Sequence, residues 1–182
     1  MERVFVRAAT FAVALMAATA ALGLWLGDLH GQTDPAVLRW GTVHRLSGVL
    51  AALMVVLVNS MSVTYFIGTG RWCREVVETY GLDGRYIDRS RSLKRSAFPF
   101  ALVGMLAVVS IVALGGAADP ASGRPGTSDW VTPHLVGAIA LAAAIAWCFQ
   151  AQLPKIRGQH ALIEQVMEEV RAARRLRGLD TE

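Results

Sequence analysis

Charge is missing from long parts of this chain. Residues 8–27, 46–70, 96–118 and 131–153 contain no Asp, Glu, Lys or Arg. Each run reaches the about 20 residues that crossing a bilayer core requires. No soluble core needs four such runs, so an ordinary soluble domain is excluded. No acidic or basic residue falls in the middle of a run, which argues against a transporter or channel, whose ion path usually carries one. Cysteine is scarce: Cys73 and Cys148 are the only two and form no C-x-x-C pair. Both are expected at the inner, reducing ends of spans, so a structural disulfide and a thiolate zinc site are not expected. Histidine is scarce as well, at positions 30, 44, 134 and 160, and none falls in the inner half of a run.

What is present is apolar: 54% of 182 residues are hydrophobic, against 18% charged. The expected fold is all-α, an integral membrane four-helix up-down-up-down bundle with a C-terminal cytoplasmic amphipathic helix. The bundle takes residues 1–153, with spans at about 8–27, 42–68, 97–118 and 131–153, and the helix and tail take 154–182. Arg3 and Arg7 hold the N-terminus in the cytoplasm. Ala18-Thr19-Ala20 imitates a signal-peptide cleavage site, but the apolar run continues to Leu26, so the segment is expected to stay as a span. Residues 71–95 carry Arg71, Arg74, Arg85, Arg89, Arg91, Lys94 and Arg95. This excess marks a cytoplasmic loop in a bacterial-type inner membrane and explains the net charge of +4 without a nucleic-acid partner. Topology accounts for these cations more simply than a docked phosphate or lipid headgroup does. Residues 74–78 extend the second helix past the membrane, and Gly81-Leu82-Asp83-Gly84 is a turn. Pro99 falls in the first turn of the third span, where a missing N–H costs little. Pro154 marks the inner end of the fourth. Beyond it Ile163, Val166, Met167, Val170 and Ala173 share one helical face. That face is left to lie on the membrane, to pair with a second copy or to dock a partner subunit.

Two short stretches carry the chemistry. Trp40-Gly41-Thr42-Val43-His44 opens the second run and Trp130-Val131-Thr132-Pro133-His134 opens the fourth; both read W-x-T-x-H. The outer loops before them, with Asp34-Pro35 and Asp119-Pro120, point to a weakly duplicated hairpin. Histidine just inside an apolar span is costly and needs a reason. Each stands four residues past its tryptophan, about 6 Å deeper. Both rings are then expected at one depth in the outer leaflet, on parallel diagonal helices whose axes are roughly 12–14 Å apart. A gap of that width suits a porphyrin with one imidazole on each face better than a small shared metal ion. The expectation is one haem b, with His44 and His134 as both metal ligands and Gly48 and Gly137 leaving room for the macrocycle edge. Arg45 would pair with a propionate. Two neutral imidazoles favour a six-coordinate iron that moves electrons rather than binding oxygen. The plainer reading is two half-wet interfacial histidines without a ligand. Asn59, Ser60, Ser62, Thr64 and Tyr65 make a polar stripe on the inner half of the second span. It reads as interhelical hydrogen bonding or as a quinone site built on Asn59, Ser62 and Tyr65. His30 and His160 are assigned no ligand role.

His44-Arg45-Leu46-Ser47-Gly48 resembles the H-R-x-[ST]-G signature of the cytochrome b subunit of succinate dehydrogenases, in which the serine and arginine help bind quinone. A second likeness is to one half of haem A synthase, a four-helix bundle with histidines on its second and fourth helices. That family has glutamate three before the histidine, where this chain has Gly41. These resemblances imply a membrane b-type cytochrome, or a haem-bearing subunit of a larger complex, moving electrons at the outer leaflet to or from quinone. The competing reading is a haem-free structural or assembly subunit that docks a cytoplasmic partner. Whether the chain is an enzyme is left open.

Overall fold

The computed structural model describes residues 1–177. They form four long helices: α1 (Glu2–Leu26), α2 (Pro35–Tyr80), α3 (Arg85–Ala118) and α4 (Val131–Leu176). Two short 3₁₀ turns, Pro120–Ser122 and Thr127–Trp130, join α3 to α4, and no strand occurs among the described residues. All four helices are long and apolar enough to cross a membrane.

Local chemistry sets the boundaries. Asp34 caps α2, accepting from the Ala36 N–H at 2.8 Å, with Pro35 in the first helical position. Gly81 ends α2 in the left-handed region, φ 67°, and its N–H returns to the Val77 carbonyl. The turn expected at residues 81–84 therefore separates α2 from α3.

The helices run further than the apolar runs do. At 1.5 Å per residue, the 46 residues of α2 and of α4 each span about 69 Å, more than twice a bilayer core. Two expectations about proline change as a result. Pro99 lies fourteen residues inside α3, not in its first turn, and Pro154 lies inside an unbroken α4. The helices continue past both because the polar segments beyond them also pack. Cys73, Val77, Tyr86, Leu162, Val166 and Val170 form a second core of α2, α3 and α4. Ile163, Met167 and Ala173, also expected on the apolar face of the last helix, are only half-buried. The part of that face at Val166 and Val170 therefore packs within the chain, against α2 and α3.

The first core runs along the apolar part of all four helices, from Phe5 and Ala12 through Val55 and Val58 to Ala107, Ile145 and Ile156. Phe5 meets Phe149 edge-on, with ring centroids 6.1 Å apart. Glu2, opening α1, pairs with Arg157 at 2.8 Å, so α1 stops where the three-helix part begins. The outward surface inverts the soluble pattern: Leu46, Leu53 and Trp147 are more than 60% exposed. A surface of this kind is what helices long and apolar enough to cross a membrane carry.

Candidate functional site: a paired histidine layer

The two W-x-T-x-H histidines meet. The rings of His44 and His134 have centroids 6.4 Å apart and planes at 75°. Each sits in a notch made by a glycine on the preceding helix. A Cβ on Gly23 of α1 would lie 2.7 Å from Cε1 of His44, and one on Gly115 of α3 would lie 3.1 Å from Cε1 of His134. Gly23/His44 and Gly115/His134 are equivalent pairs in the two hairpins, and they carry the repeat further than the outer-loop motifs do. Sequence reasoning passed over both glycines. The available signal was a glycine near the end of each helix that precedes a histidine.

Hydrogen bonding distinguishes the two rings. Nδ1 of His44 lies 3.1 Å from the backbone carbonyl of Thr19. A carbonyl only accepts, so Nδ1 is the donor in this contact, and in the neutral ring Nε2 is the nitrogen with a lone pair. Metal-ligating histidines are oriented by the same kind of outer bond. Nδ1 of His134 is buried with no protein partner among the described residues.

The separation bears directly on a shared ion. Two metal–imidazole bonds of about 2.0–2.1 Å, with each ring centre about 1.1 Å behind its nitrogen, put the centres of a linear pair about 6.3 Å apart. The observed centroid separation, 6.4 Å, is of this length. A linear pair also requires one nitrogen of each ring on the line between the centres. The rings come closer than the helix-axis estimate suggested, so separation alone does not choose between a porphyrin iron and a bare ion. The donor set is more selective. Among the described residues no three His, Cys, Asp or Glu gather to hold a metal. A bare zinc ion takes at least three protein ligands, whereas a porphyrin brings four of its own.

The other expected contacts lie elsewhere. Arg45 donates to Asp119 at 3.1 Å and to the Thr42 hydroxyl at 3.0 Å, tying α2 to the loop after α3. A propionate at Arg45 would have to compete with Asp119. Gly137 faces Leu114, whose Cδ1 would be 2.6 Å from an added Cβ, and Gly48 faces the Thr19 methyl at 3.8 Å. Both glycines admit a neighbouring helix and do not open a slot between the imidazoles.

The polar stripe splits. Ser60 and Thr64 are exposed, Asn59 and Ser62 are buried, and Tyr65 is half-buried. The Asn59 amide donates to the Val55 carbonyl at 3.0 Å and accepts from Gln152 of α4 at 3.1 Å. This is the interhelical bond that one reading of the stripe expected, and Gly104 makes room for it. The Tyr65 hydroxyl is buried without a protein partner among the described residues. Seven residues after Gln152, Gln159 donates to Thr69 and to buried Ser90, each at 3.1 Å. The pair Gln152 and Gln159 was missed in the sequence; polar residues at that spacing on one helix face were the signal.

His30 has a structural part. Its ring bridges Asp28 and, at 2.7 Å, Thr127, linking the α1–α2 loop to the α3–α4 loop. Comparison of the chain with protein-family models, with characterised proteins and with solved structures finds no match.

Proposed function

We propose that this chain is a membrane b-type cytochrome, or the haem-bearing subunit of a larger complex. In this reading the four helices cross a bacterial-type inner membrane up-down-up-down, with both termini in the cytoplasm. His44 and His134 bind one haem b in the outer leaflet. The observation that carries it is the imidazole pair at 6.4 Å, each ring seated in a glycine notch. The bound group would supply one-electron chemistry. The chain's own work would be to present two imidazoles to that group. Thr19 fixes one tautomer through its carbonyl, and the apolar bundle excludes water. The electron partner in this reading is a quinone, and Tyr65 is the one of its three expected contacts with a buried, unpartnered polar atom.

One observation favours a second reading. Aromatic rings pack edge-to-face at about 4.5–7 Å without any ligand, so the histidine pair also fits a clasp between hairpins in a haem-free structural subunit. An absorption spectrum, oxidised and dithionite-reduced, separates the two. With haem supplied during expression, the cytochrome reading expects a Soret band with sharp reduced bands, lost in His44→Ala and in His134→Ala. A colourless wild-type protein that is fully helical would leave the clasp.

A further inference from the structure

A cleft of ≈ 230 Å³ opens between α2 and α3, lined by Arg71, Arg74, Arg91 and Lys94 together with Ile67 and Ile87. It lies where both apolar runs end, at Gly70 on α2 and Ser96 on α3. Four cations around one small cleft repel each other. Two are answered locally, Arg71 by Glu75 at 2.8 Å and Arg91 by Asp88 at 3.4 Å. Arg74 and Lys94 have no hydrogen-bond or ion-pair partner among the described residues, and no carboxylate lines the cleft. Below the cations the wall is apolar, and Ile67 is 53% exposed on the outer face of α2. Buried Ser90, held by Gln159, closes the back.

Positive-inside topology accounts for the number of these cations but not for their convergence on a cavity from two helices. We propose that this cleft is a binding site for an anionic phospholipid. Its phosphodiester headgroup would sit between Arg74 and Lys94, and its acyl chains would run along Ile67 toward the apolar surface of α2. A free phosphate shares the headgroup chemistry but has no use for the apolar wall, which continues the surface that faces lipid. The proposal rests on the membrane-crossing part of the function proposed above and is independent of haem.

The test uses the full chain, delipidated in detergent and offered phosphatidylglycerol or phosphatidylcholine in mixed micelles, with retained lipid counted by native mass spectrometry. Wild-type protein should retain phosphatidylglycerol at least about tenfold better, since each cation near a lipid surface contributes on the order of fivefold. Arg74→Gln with Lys94→Gln should abolish the preference, and the exchange Arg74→Lys with Lys94→Arg should keep it. Inorganic phosphate should not displace the lipid. Equal retention of the two lipids by wild-type protein would overturn the proposal. So would a preference that survives the double glutamine change, or displacement by phosphate alone. Circular dichroism checks that the glutamine variant is helical; if it is not, the wild-type comparison and the charge-preserving exchange decide. Release of the chain from membranes by alkaline carbonate would instead defeat the membrane reading, and it is scored separately.

Discussion

Two glycines each make room for one histidine ring. Adding one methyl at position 23 would bring a carbon to 2.7 Å from the His44 ring, and that ring is fixed by its bond to the Thr19 carbonyl. Overpacking of this kind costs about 1–3 kcal/mol, against which alanine returns at most about 1 kcal/mol of helix propensity. Gly116, one residue past the second notch, has nothing within 4 Å of an added Cβ. Gly23→Ala should therefore unfold earlier than wild type in a detergent thermal melt, and Gly116→Ala should unfold no earlier. If the cytochrome reading holds, Gly23→Ala also weakens the Soret band, because the ring it displaces is a ligand. Asp28 gives a pH-dependent counterpart in the loop. The His30 backbone N–H, and then its ring, hydrogen-bond the Asp28 carboxylate and hold its pKa below the ordinary value. A depressed pKa stabilises the fold above the ordinary carboxylate range. That contribution fades as the pH falls from about 4 through the lowered folded value. Asp28→Asn should remove this acid-side loss from a melting curve recorded against pH, leaving the neutral-pH spectrum unchanged.

At the scale of the helices, polar pairs set register where apolar packing is permissive. Asn59 and Gln152 bond across α2 and α4 at 3.1 Å, and Gly104 of α3 allows α3 to close over them. In membrane bundles such pairs average about 0.6 kcal/mol and reach about 1.7. A double-mutant cycle with Asn59→Leu and Gln152→Leu, followed by unfolding in detergent, should return a coupling of this size. The second core joins α2, α3 and α4 beyond the apolar runs. Leu162 is fully buried there among Cys73, Val77 and Tyr86. Leu162→Ala should cost about 2–5 kcal/mol and release the ends of α2 and α4 to proteolysis before the apolar part opens. Part of the last apolar face, read in sequence as open for docking, is packed within the chain itself. Helical periodicity identifies an apolar face but not the element that meets it.

Across the whole molecule, the charge-free runs determined helix count and class by themselves, since a backbone in hydrocarbon has to satisfy its hydrogen bonds internally. The W-x-T-x-H repeat likewise identified the two histidines, because a polar ring inside an apolar span is conspicuous without coordinates. A reporter enzyme fused after residue 30 or 123 should be active outside, and one after residue 84 should be active only in the cytoplasm; the opposite result would invert the proposed topology. The rest depended on partners distant in the chain. The seats of His44 and His134 need the notches at Gly23 and Gly115, and a glycine in sequence does not say what fills the space it leaves. Arg45 was open to a propionate until Asp119 was found against it. Asn59 was open to a quinone until Gln152 was found against it. Composition and period belong to single segments and can be read from them. Which group satisfies a given donor is a property of two segments brought together, and only the tertiary structure decides it.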